Sequence, residues 1–340
     1  MAPTLDRLSR PLRDLRISVT DRCNLRCPYC MPRELFGSGH RYLAADEMCR
    51  FDEFARLCRL FAGLGVEKVR ITGGEPLLRP RVEELVAMLS RVDGVRDVAL
   101  TTNGVLLGAK ATALRDAGLS RITVSLDALD EEVFRRMGDT KLTLGRVLTG
   151  IDAALDAGLS PVKINMVVRR GVNDHCVVPM AEHFRHRPEI LRFIEYMDVG
   201  DTNGWRPQDV VPAAESLRAI DDRWPLERLA PARSGEVAAR YRYRDGAGEV
   251  GFIASVSEPF CGGCTRARLA ADGTLFTCLF AGSGVNLLEM LRSGASDDQV
   301  RARLASVWGA REDRYSALRA EQLAGGQGGG QKVEMSYIGG

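Results

Sequence analysis

Residues 14–30 read DLRISVTDRCNLRCPYC, and this stretch decides the fold. Its first part alternates polar and apolar residues with a period of two, which is typical of a β-strand with one apolar face. Three cysteines follow at once, Cys23, Cys27 and Cys30. The N-terminal residues are charged throughout, so we expect no secretion signal and a cytoplasmic protein. Grouped cysteines in such a protein indicate a metal centre rather than disulfides.

Predicted strands recur five more times towards residue 196, separated by amphipathic helical stretches. The first five strands show the period of two, whereas the sixth, around Phe193 and Glu195, is ambiguous in phase. The predicted strands cover 14–19, 68–72, 98–101, 121–126, 162–168 and 191–196, and the predicted helices 51–62, 82–92, 109–117, 144–157 and 177–186. Six repeats of strand and helix predict a parallel sheet, either closed as a barrel or open.

Polar residues on one face of these strands favour the barrel. Strands of a sheet that is covered on both faces usually read as continuous apolar runs. Here one face carries polar residues instead, among them Arg16, Arg70, Thr101, Ser125 and Lys163. Helices outside and a ligand-filled polar interior would explain this pattern. The alternative is that the polar groups only pair among themselves.

The chain beyond residue 200 is rich in turns and then predicts short strands at 240–244, 250–255, 266–270 and 274–279. We therefore predict an α/β fold: a partial (βα)6 TIM-type barrel with a smaller C-terminal α+β module. The predicted division is an N-terminal arm (1–13), the core barrel (14–213), a C-terminal cluster-binding domain (214–324), and a flexible tether with a Gly-Gly tail (325–340).

The cysteine spacing Cys23-x3-Cys27-x2-Cys30 favours an iron–sulfur cluster. Three thiolates leave one iron of a [4Fe–4S] cluster without a protein ligand, so that iron can bind a substrate. A structural zinc ion would need four protein ligands. Cys49 or His40 as a fourth ligand is the alternative that the sequence leaves open.

A second set of three cysteines, Cys261, Cys264 and Cys278, lies in the C-terminal module around a predicted hairpin. It again lacks a fourth cysteine, which predicts a second open cluster. A zinc knuckle completed by a distant residue is the alternative. We interpret the remaining cysteines, Cys49, Cys58 and Cys176, as ordinary reduced residues.

Five cations are predicted to point towards one cavity. They are Arg16, Arg70, Lys163, Arg266 and Arg268. Arginine forks bind phosphate oxygens in pairs, so this set predicts a polyanionic ligand. A solvated basic face is the alternative for any one of them. No phosphate-binding loop of the Gly-x4-Gly-Lys-Ser/Thr type is present, so the motifs alone do not specify a nucleotide.

The octapeptide 23–30, CNLRCPYC, resembles the signature of the radical S-adenosylmethionine (SAM) superfamily. The resemblance implies that SAM binds the open iron and is cleaved to methionine and a 5′-deoxyadenosyl radical. The stretch 72–76, TGGEP, is similar to the superfamily's GGEP element, although by itself it would be an ordinary turn. The implied SAM-binding residues are Tyr29, Gly73, Gly74, Glu75, Ser125 and Met197.

Over its whole length the chain also resembles the GTP 3′,8-cyclases of molybdenum cofactor biosynthesis. This implies a lyase that joins C3′ of the GTP ribose to C8 of guanine, the first step of molybdopterin synthesis. The implied GTP-binding residues are Arg16, Arg70, Thr101, Lys163, Arg266 and Arg268, and further candidate site residues are Arg192, Gly339 and Gly340. In that family the Gly-Gly tail reaches the active site, whereas such a terminus is otherwise most often disordered.

Two other functions remain possible at this point: a radical SAM maturase of peptides, and an iron–sulfur sensor without turnover. The cofactors implied are two [4Fe–4S] clusters and SAM. The partners implied are GTP, a low-potential electron donor of the flavodoxin or ferredoxin type, the cyclic pyranopterin monophosphate synthase that acts next, and possibly a second copy of the chain. The net charge of +2 and the lack of long apolar runs predict neither nucleic-acid nor membrane binding.

Overall fold

A twelve-stranded sheet organises the computed structural model, which describes residues 4–232, 235–324 and 332–339. The strands are β1 (Asp14–Ser18), β2 (Lys68–Thr72), β3 (Asp97–Thr102), β4 (Arg121–Ser125), β5 (Val162–Val168), β6 (Ile190–Glu195), β7 (Leu226–Arg228), β8 (Ala239–Tyr243), β9 (Glu249–Ile253), β10 (Arg266–Leu269), β11 (Thr274–Phe276) and β12 (Val285–Asn286). Their order in the sheet is β12-β11-β10-β1-β2-β3-β4-β5-β6-β9-β8-β7.

The α-helices follow the strands in the order that the sequence pattern predicts. They are α1 (Phe51–Ala62), α2 (Val82–Ser90), α3 (Ala111–Asp116), α4 (Glu131–Gly138), α5 (Leu144–Asp156), α6 (Val177–Phe184), α7 (Ala213–Asp221), α8 (Leu287–Arg292), α9 (Asp297–Gly309), α10 (Tyr315–Ala324) and α11 (Met335–Ile338). The periodic pattern did not single out α4. Its N-cap residue is Asp130, whose side chain accepts a hydrogen bond from the Val133 amide. None of the helices in these described ranges has the length and apolarity that crossing a bilayer requires.

Strands β1 to β6 form the parallel centre of the sheet, and their apolar faces pack outwards against the helices. Ile17 and Ile71 have no exposed surface, and Phe54 and Leu57 of α1 are equally buried. Each such side chain contributes about 1.5–3 kcal/mol when it leaves water. The polar faces of the same strands point inwards, as the period-two pattern predicts, so the predicted barrel type is confirmed.

The C-terminal strands extend this sheet at both of its edges. Strand β10 pairs in parallel with β1, and β9 pairs in parallel with β6. In the first pairing Arg16 lies opposite Arg268, and on the other side of β1 it lies opposite Arg70. Distant parts of the chain therefore bring their cations together. The boundaries between domains stay a prediction.

The hairpin strand predicted over 274–279 ends earlier, at Phe276. The Thr277 carbonyl accepts a bond from Arg311 instead of a strand neighbour, at 3.0 Å. Cys278 thereby leaves the sheet and faces the interior cavity.

Candidate active site

One cavity of about 380 Å³ occupies the interior of the barrel, and both sets of cysteines face it. The cysteines that line it are Cys23, Cys27, Cys30, Cys261, Cys264 and Cys278. The inward faces of β1 to β6 and of β10 supply much of the remaining wall, together with residues 235–238, α4 and α11. The two sets are 231 or more residues apart in sequence (261 − 30 = 231), so the sheet topology is what brings them to one space.

The first three cysteines lie in the loop after β1, at the carboxyl end of the parallel strands, where barrel enzymes carry their chemistry. A tight turn holds Cys27 and Cys30 together, because the Cys30 amide donates to the Cys27 carbonyl at 2.9 Å. Asn103 donates its side-chain amide to the Cys23 sulfur at 3.8 Å. Burial, and then the charge of Glu75, raise the pKa of Cys23 to about 11. Iron binding would therefore have to displace the thiol protons.

This donor set fits an iron–sulfur cluster. In the described ranges, no three His, Cys, Asp or Glu side chains are grouped around a position for a single metal ion. A [4Fe–4S] cluster needs no such grouping, since each thiolate binds a different iron. The proposed alternatives for a fourth ligand lie elsewhere: Cys49 is buried behind Gly273, and the His40 ring packs 4.6 Å from those of Phe36 and Tyr42. Neither lines the cavity.

The Gly73-Gly74 turn after β2 packs directly on the cysteine loop. The Gly74 amide donates to the Thr20 carbonyl at 2.8 Å, and a Cβ on Gly74 would lie 2.3 Å from the Arg22 carbonyl oxygen. Gly73 has φ +148°, and its Cβ would lie 2.6 Å from the Thr20 carbonyl oxygen. The two glycines are thus required by the contact between two backbones beside Cys23. That the two glycines also contact SAM stays a prediction from the family resemblance.

Glu75 fixes the end of the neighbouring strand β3. Its carboxylate accepts bonds from the Leu77 amide (3.0 Å), the Thr102 hydroxyl (2.7 Å) and the Asn103 amide (2.7 Å). Burial raises the pKa of Glu75 to about 7, against the effect of these three donors. The sequence pattern missed Asn103, although its place directly after a predicted strand would have indicated it.

The other residues predicted for SAM also reach the cavity. Tyr29, Ser125 and Met197 line it. The Tyr29 hydroxyl donates to the Asp127 carboxylate at 2.6 Å, and the other oxygen of Asp127 accepts from the Val167 amide at 2.8 Å. Asp127, which sequence reasoning missed, therefore ties the cysteine loop to the ends of β4 and β5.

Two buried arginines hold the backbone around the second set of cysteines. Arg10 donates to the Cys261 carbonyl at 2.8 Å, and Arg311 donates to the Cys264 carbonyl at 2.9 Å. Asp6 accepts from both guanidinium groups, at 2.6 Å and 3.1 Å. Burial alone would raise the pKa of the Cys264 thiol, but Arg266 and Arg311 outweigh it and lower that pKa to about 6. A thiolate, which is the form that binds iron, is favoured here.

Six cations that the sequence singled out line the wall of the cavity. They are Arg16, Arg70, Lys163, Arg192, Arg266 and Arg268. Burial, and then the charges of Arg268 and Arg266, hold the pKa of Arg16 well below its ordinary value. Burial and Arg192 lower the pKa of Lys163 to about 8. The cations repel one another, so an anion bound between them would be stabilised.

Hydrogen bonds within the wall satisfy only part of these polar groups. Arg70 donates to the hydroxyls of Thr101 (2.9 Å) and Thr123 (3.2 Å). In contrast, the Nε of Arg192 and the side-chain oxygen of Asn165 are buried without a hydrogen-bond partner. Mutual pairing, the alternative left open by the sequence, therefore does not account for the whole face.

Besides Arg311, the cavity wall carries two further cations, Lys68 and Arg121, which sequence reasoning missed. Each lies two residues before a polar residue of the same strand face, so the period of two could have found them. Lys68 pairs with Asp14 at 3.2 Å, and Arg121 forms an ion pair with Asp97.

The C-terminal tail enters this site from the side of β10. The Gly339 carbonyl accepts a bond from Arg268 at 2.6 Å, and a Cβ on Gly339 would lie 2.3 Å from the side chain of Thr72. Ile338 is fully buried against Ala270 and Phe276. The predicted approach of the tail is thus seen as far as Gly339, while Gly340 and the tether at 325–331 lie outside the described residues.

Comparisons with known proteins agree with this site. Residues 17–184 match the family "Radical SAM superfamily", and residues 190–317 match "Molybdenum Cofactor Synthesis C". A GTP 3′,8-cyclase of Acidothermus cellulolyticus is 52% identical, with 99% of each chain covered. That of Xanthomonas axonopodis pv. citri is 50% identical, covering 100% of this chain and 99% of the relative. The chain belongs to the GTP 3′,8-cyclase family.

Membership of the GTP 3′,8-cyclase family confirms the resemblance seen in the cysteine signature and along the whole chain. The chain is accordingly a radical SAM protein, with an iron–sulfur cluster and SAM as cofactors. The fold is also found in the crystal structure of Streptococcus suis SuiB bound to S-adenosylmethionine, with a TM-score of 0.61 and 16% identity over 92% of this chain and 68% of that one.

Proposed function

We propose that this chain is a GTP 3′,8-cyclase, a lyase that converts GTP to (8S)-3′,8-cyclo-7,8-dihydroguanosine 5′-triphosphate in the first step of molybdopterin biosynthesis. A hydrogen atom is removed from C3′ of the ribose, C3′ then bonds to C8 of guanine, and one electron from the reductant and one proton taken up at N7 complete the 7,8-dihydro product. The observation that carries the proposal is the cavity that two incomplete sets of cysteines face, with nine cations of the described residues on its wall.

Two [4Fe–4S] clusters would be held here, the first by Cys23, Cys27 and Cys30. The second would be held by Cys261, Cys264 and Cys278, close to the base of GTP. When bound, the first cluster and SAM supply a 5′-deoxyadenosyl radical. The residues proposed to contact SAM are Tyr29, Gly73, Gly74, Glu75, Ser125 and Met197, all of which line the cavity.

The triphosphate would lie deeper in the barrel than the first cysteines. Lys163 and Arg192 are the second and third residues of their strands, whereas Cys23 follows the carboxyl end of β1. Phosphates held near the amino ends would leave the ribose facing the carboxyl ends, beside SAM. The residues proposed to bind GTP are Arg16, Arg70, Thr101, Lys163, Arg192, Arg266 and Arg268.

Positioning is the main contribution of these residues to the reaction. Fixing C3′ next to the reacting carbon can remove about 7–11 kcal/mol from a barrier. The enclosing wall also keeps water and other hydrogen donors away from a reactive intermediate.

The reaction needs a reductant, and we propose a low-potential electron donor of the flavodoxin or ferredoxin type. The product would pass to a cyclic pyranopterin monophosphate synthase. The proposal also places the protein in the cytoplasm and includes assembly as a homodimer.

The test is turnover by anaerobically reconstituted protein with SAM, dithionite and GTP. Formation of deoxyadenosine and of the cyclised nucleotide only when GTP is present supports the proposal, with ATP as the control nucleotide. Deoxyadenosine formed only with a peptide would favour a peptide maturase, and none with any substrate would favour a sensor. Either result would overturn the proposed function.

A further inference from the structure

The segment Lys332–Glu334 is hydrogen-bonded to the loop that follows β6, at Asp201 and Thr202. The Lys332 amide donates to the Asp201 carboxylate at 2.8 Å. The Glu334 carboxylate accepts from the Asp201 amide at 3.0 Å and from the Thr202 hydroxyl at 2.9 Å. These bonds join chain regions that are more than 130 residues apart in sequence.

Gly200 shapes this loop to receive the Glu334 side chain. A Cβ on Gly200 would lie 2.2 Å from a carboxylate oxygen of Glu334. Gly200 also has φ +66°, a conformation that other residues adopt only with strain. The Glu334 carboxylate can therefore occupy its position only because residue 200 has no side chain.

Asp198 provides a second contact between this loop and the tail, through Lys332. Its carboxylate accepts from the Lys332 ammonium group at 3.0 Å and from Arg319 of α10 at 2.8 Å. The Lys332 ammonium group also lies over the ring of Tyr315, 4.5 Å from its centre. Asp198 and Arg319 are buried, so this group of charges is shielded from solvent.

One short helix connects Glu334 with the residue that reaches the cavity wall. The single turn of α11 follows Glu334 directly and ends at Ile338. At about 1.5 Å of rise per residue, such a turn is only about 6 Å long. Its far end is Gly339, whose carbonyl is bound by Arg268. Glu334 and Gly339 are therefore joined by one short helical turn.

We propose that residues 198–202 are the anchoring site of the C-terminal tail, and that Lys332 and Glu334 are positioning residues that set how far Gly339 reaches towards Arg268. The effect on turnover rests on the proposed function, whereas the anchoring itself does not.

The test measures hydrogen–deuterium exchange in residues 332–338 of the full-length, anaerobically reconstituted protein. Glu334→Gln and Gly200→Ala should each speed exchange of this segment by about 10-fold to 100-fold, as expected for the loss of a hydrogen bond to a charged group. Iron content should be retained, because within the described residues Glu334 and Gly200 form no hydrogen bond to either set of cysteines; the only link there is the charge of Glu334, which, after burial and Cys23, raises the pKa of Cys30. In turnover, kcat should fall more than KM for SAM rises.

Glu312→Gln is the matched control, because it breaks an exposed ion pair to Arg7 in the same part of the chain. Its tail should exchange at the parent rate. Unchanged exchange in both Glu334→Gln and Gly200→Ala would overturn the inference, whatever the activity on GTP. Faster exchange without any turnover of GTP by the parent protein would retain the anchor and overturn the proposed function alone.

Discussion

The guanidinium group of Arg10 donates a hydrogen bond of 2.8 Å to the backbone carbonyl of Cys261, 251 residues further along the chain. Arg311 makes the matching bonds to the carbonyls of Cys264 and of Thr277, the residue before Cys278. Each of the three cysteine positions of the second set is thus held by an arginine that itself is bound to Asp6.

Replacing Arg311 with Met should therefore remove the second cluster and leave the first. The change leaves the Cys264 and Thr277 carbonyls without their donor and breaks a buried ion pair, at a cost of about 3–5 kcal/mol. Iron per chain, measured after anaerobic reconstitution, should fall from about eight to about four. Arg7→Met, at an exposed ion pair, is the control and should keep its full iron content. A full complement of iron in Arg311→Met would contradict the prediction.

Gly74→Ala should damage the first cluster site. The new Cβ would lie 2.3 Å from the Arg22 carbonyl oxygen and would push the cysteine loop away from β2. We expect iron per chain to fall to about half and SAM cleavage to be lost. Gly145→Ala in α5 is the matched control, since nothing lies within 4 Å of its Cβ and helix propensity favours alanine by about 0.5–1 kcal/mol. Normal SAM cleavage by Gly74→Ala would contradict the prediction, because it would mean that the cysteine loop accommodates the Cβ without losing the cluster.

GTP binding should weaken as the pH rises through about 8. Burial and then Arg192 lower the pKa of Lys163 to about 8, so its ammonium group is charged below that pH and neutral above it. A phosphate binds the charged form, and its affinity can fall by up to about 10-fold per pH unit above the pKa. The Kd for GTP, measured without reductant at several pH values, checks this. In Lys163→Arg the loss of GTP affinity should begin at a higher pH. If the variant and the parent protein show the same dependence of Kd on pH, a group other than Lys163 causes the titration.

Arg192→Met should weaken GTP binding by about 10-fold to 150-fold, the effect of losing a hydrogen bond to a charged group. The side chain is half-buried on the cavity wall, and its buried Nε has no hydrogen-bond partner there. SAM binding should be unchanged. Arg242→Met, which breaks an exposed ion pair to Glu227, is the control. Equal GTP affinity in both variants would remove Arg192 from the proposed phosphate site.

Local patterns in the sequence were sufficient for the barrel and for one face of the site. The period of two placed Arg16, Arg70 and Lys163 on the inward face, because alternation follows from the geometry of a single strand. The pairing of β10 with β1 could not be predicted in this way, since it depends on a register between residues 14 and 266. Arg311 was missed for a similar reason: it is one arginine in a loop, and its contacts are distant in sequence.

The pairing of β1 with β10 and of β6 with β9 affects the chain during its synthesis. The open sides of the barrel, β1 and β6, are both covered by strands from residues 249–269, which leave the ribosome late. Until then, a nascent chain presents two rows of unpaired backbone amides and carbonyls, which are templates for association with other chains. Fragments that stop before residue 249 should therefore aggregate rather than accumulate as a stable barrel.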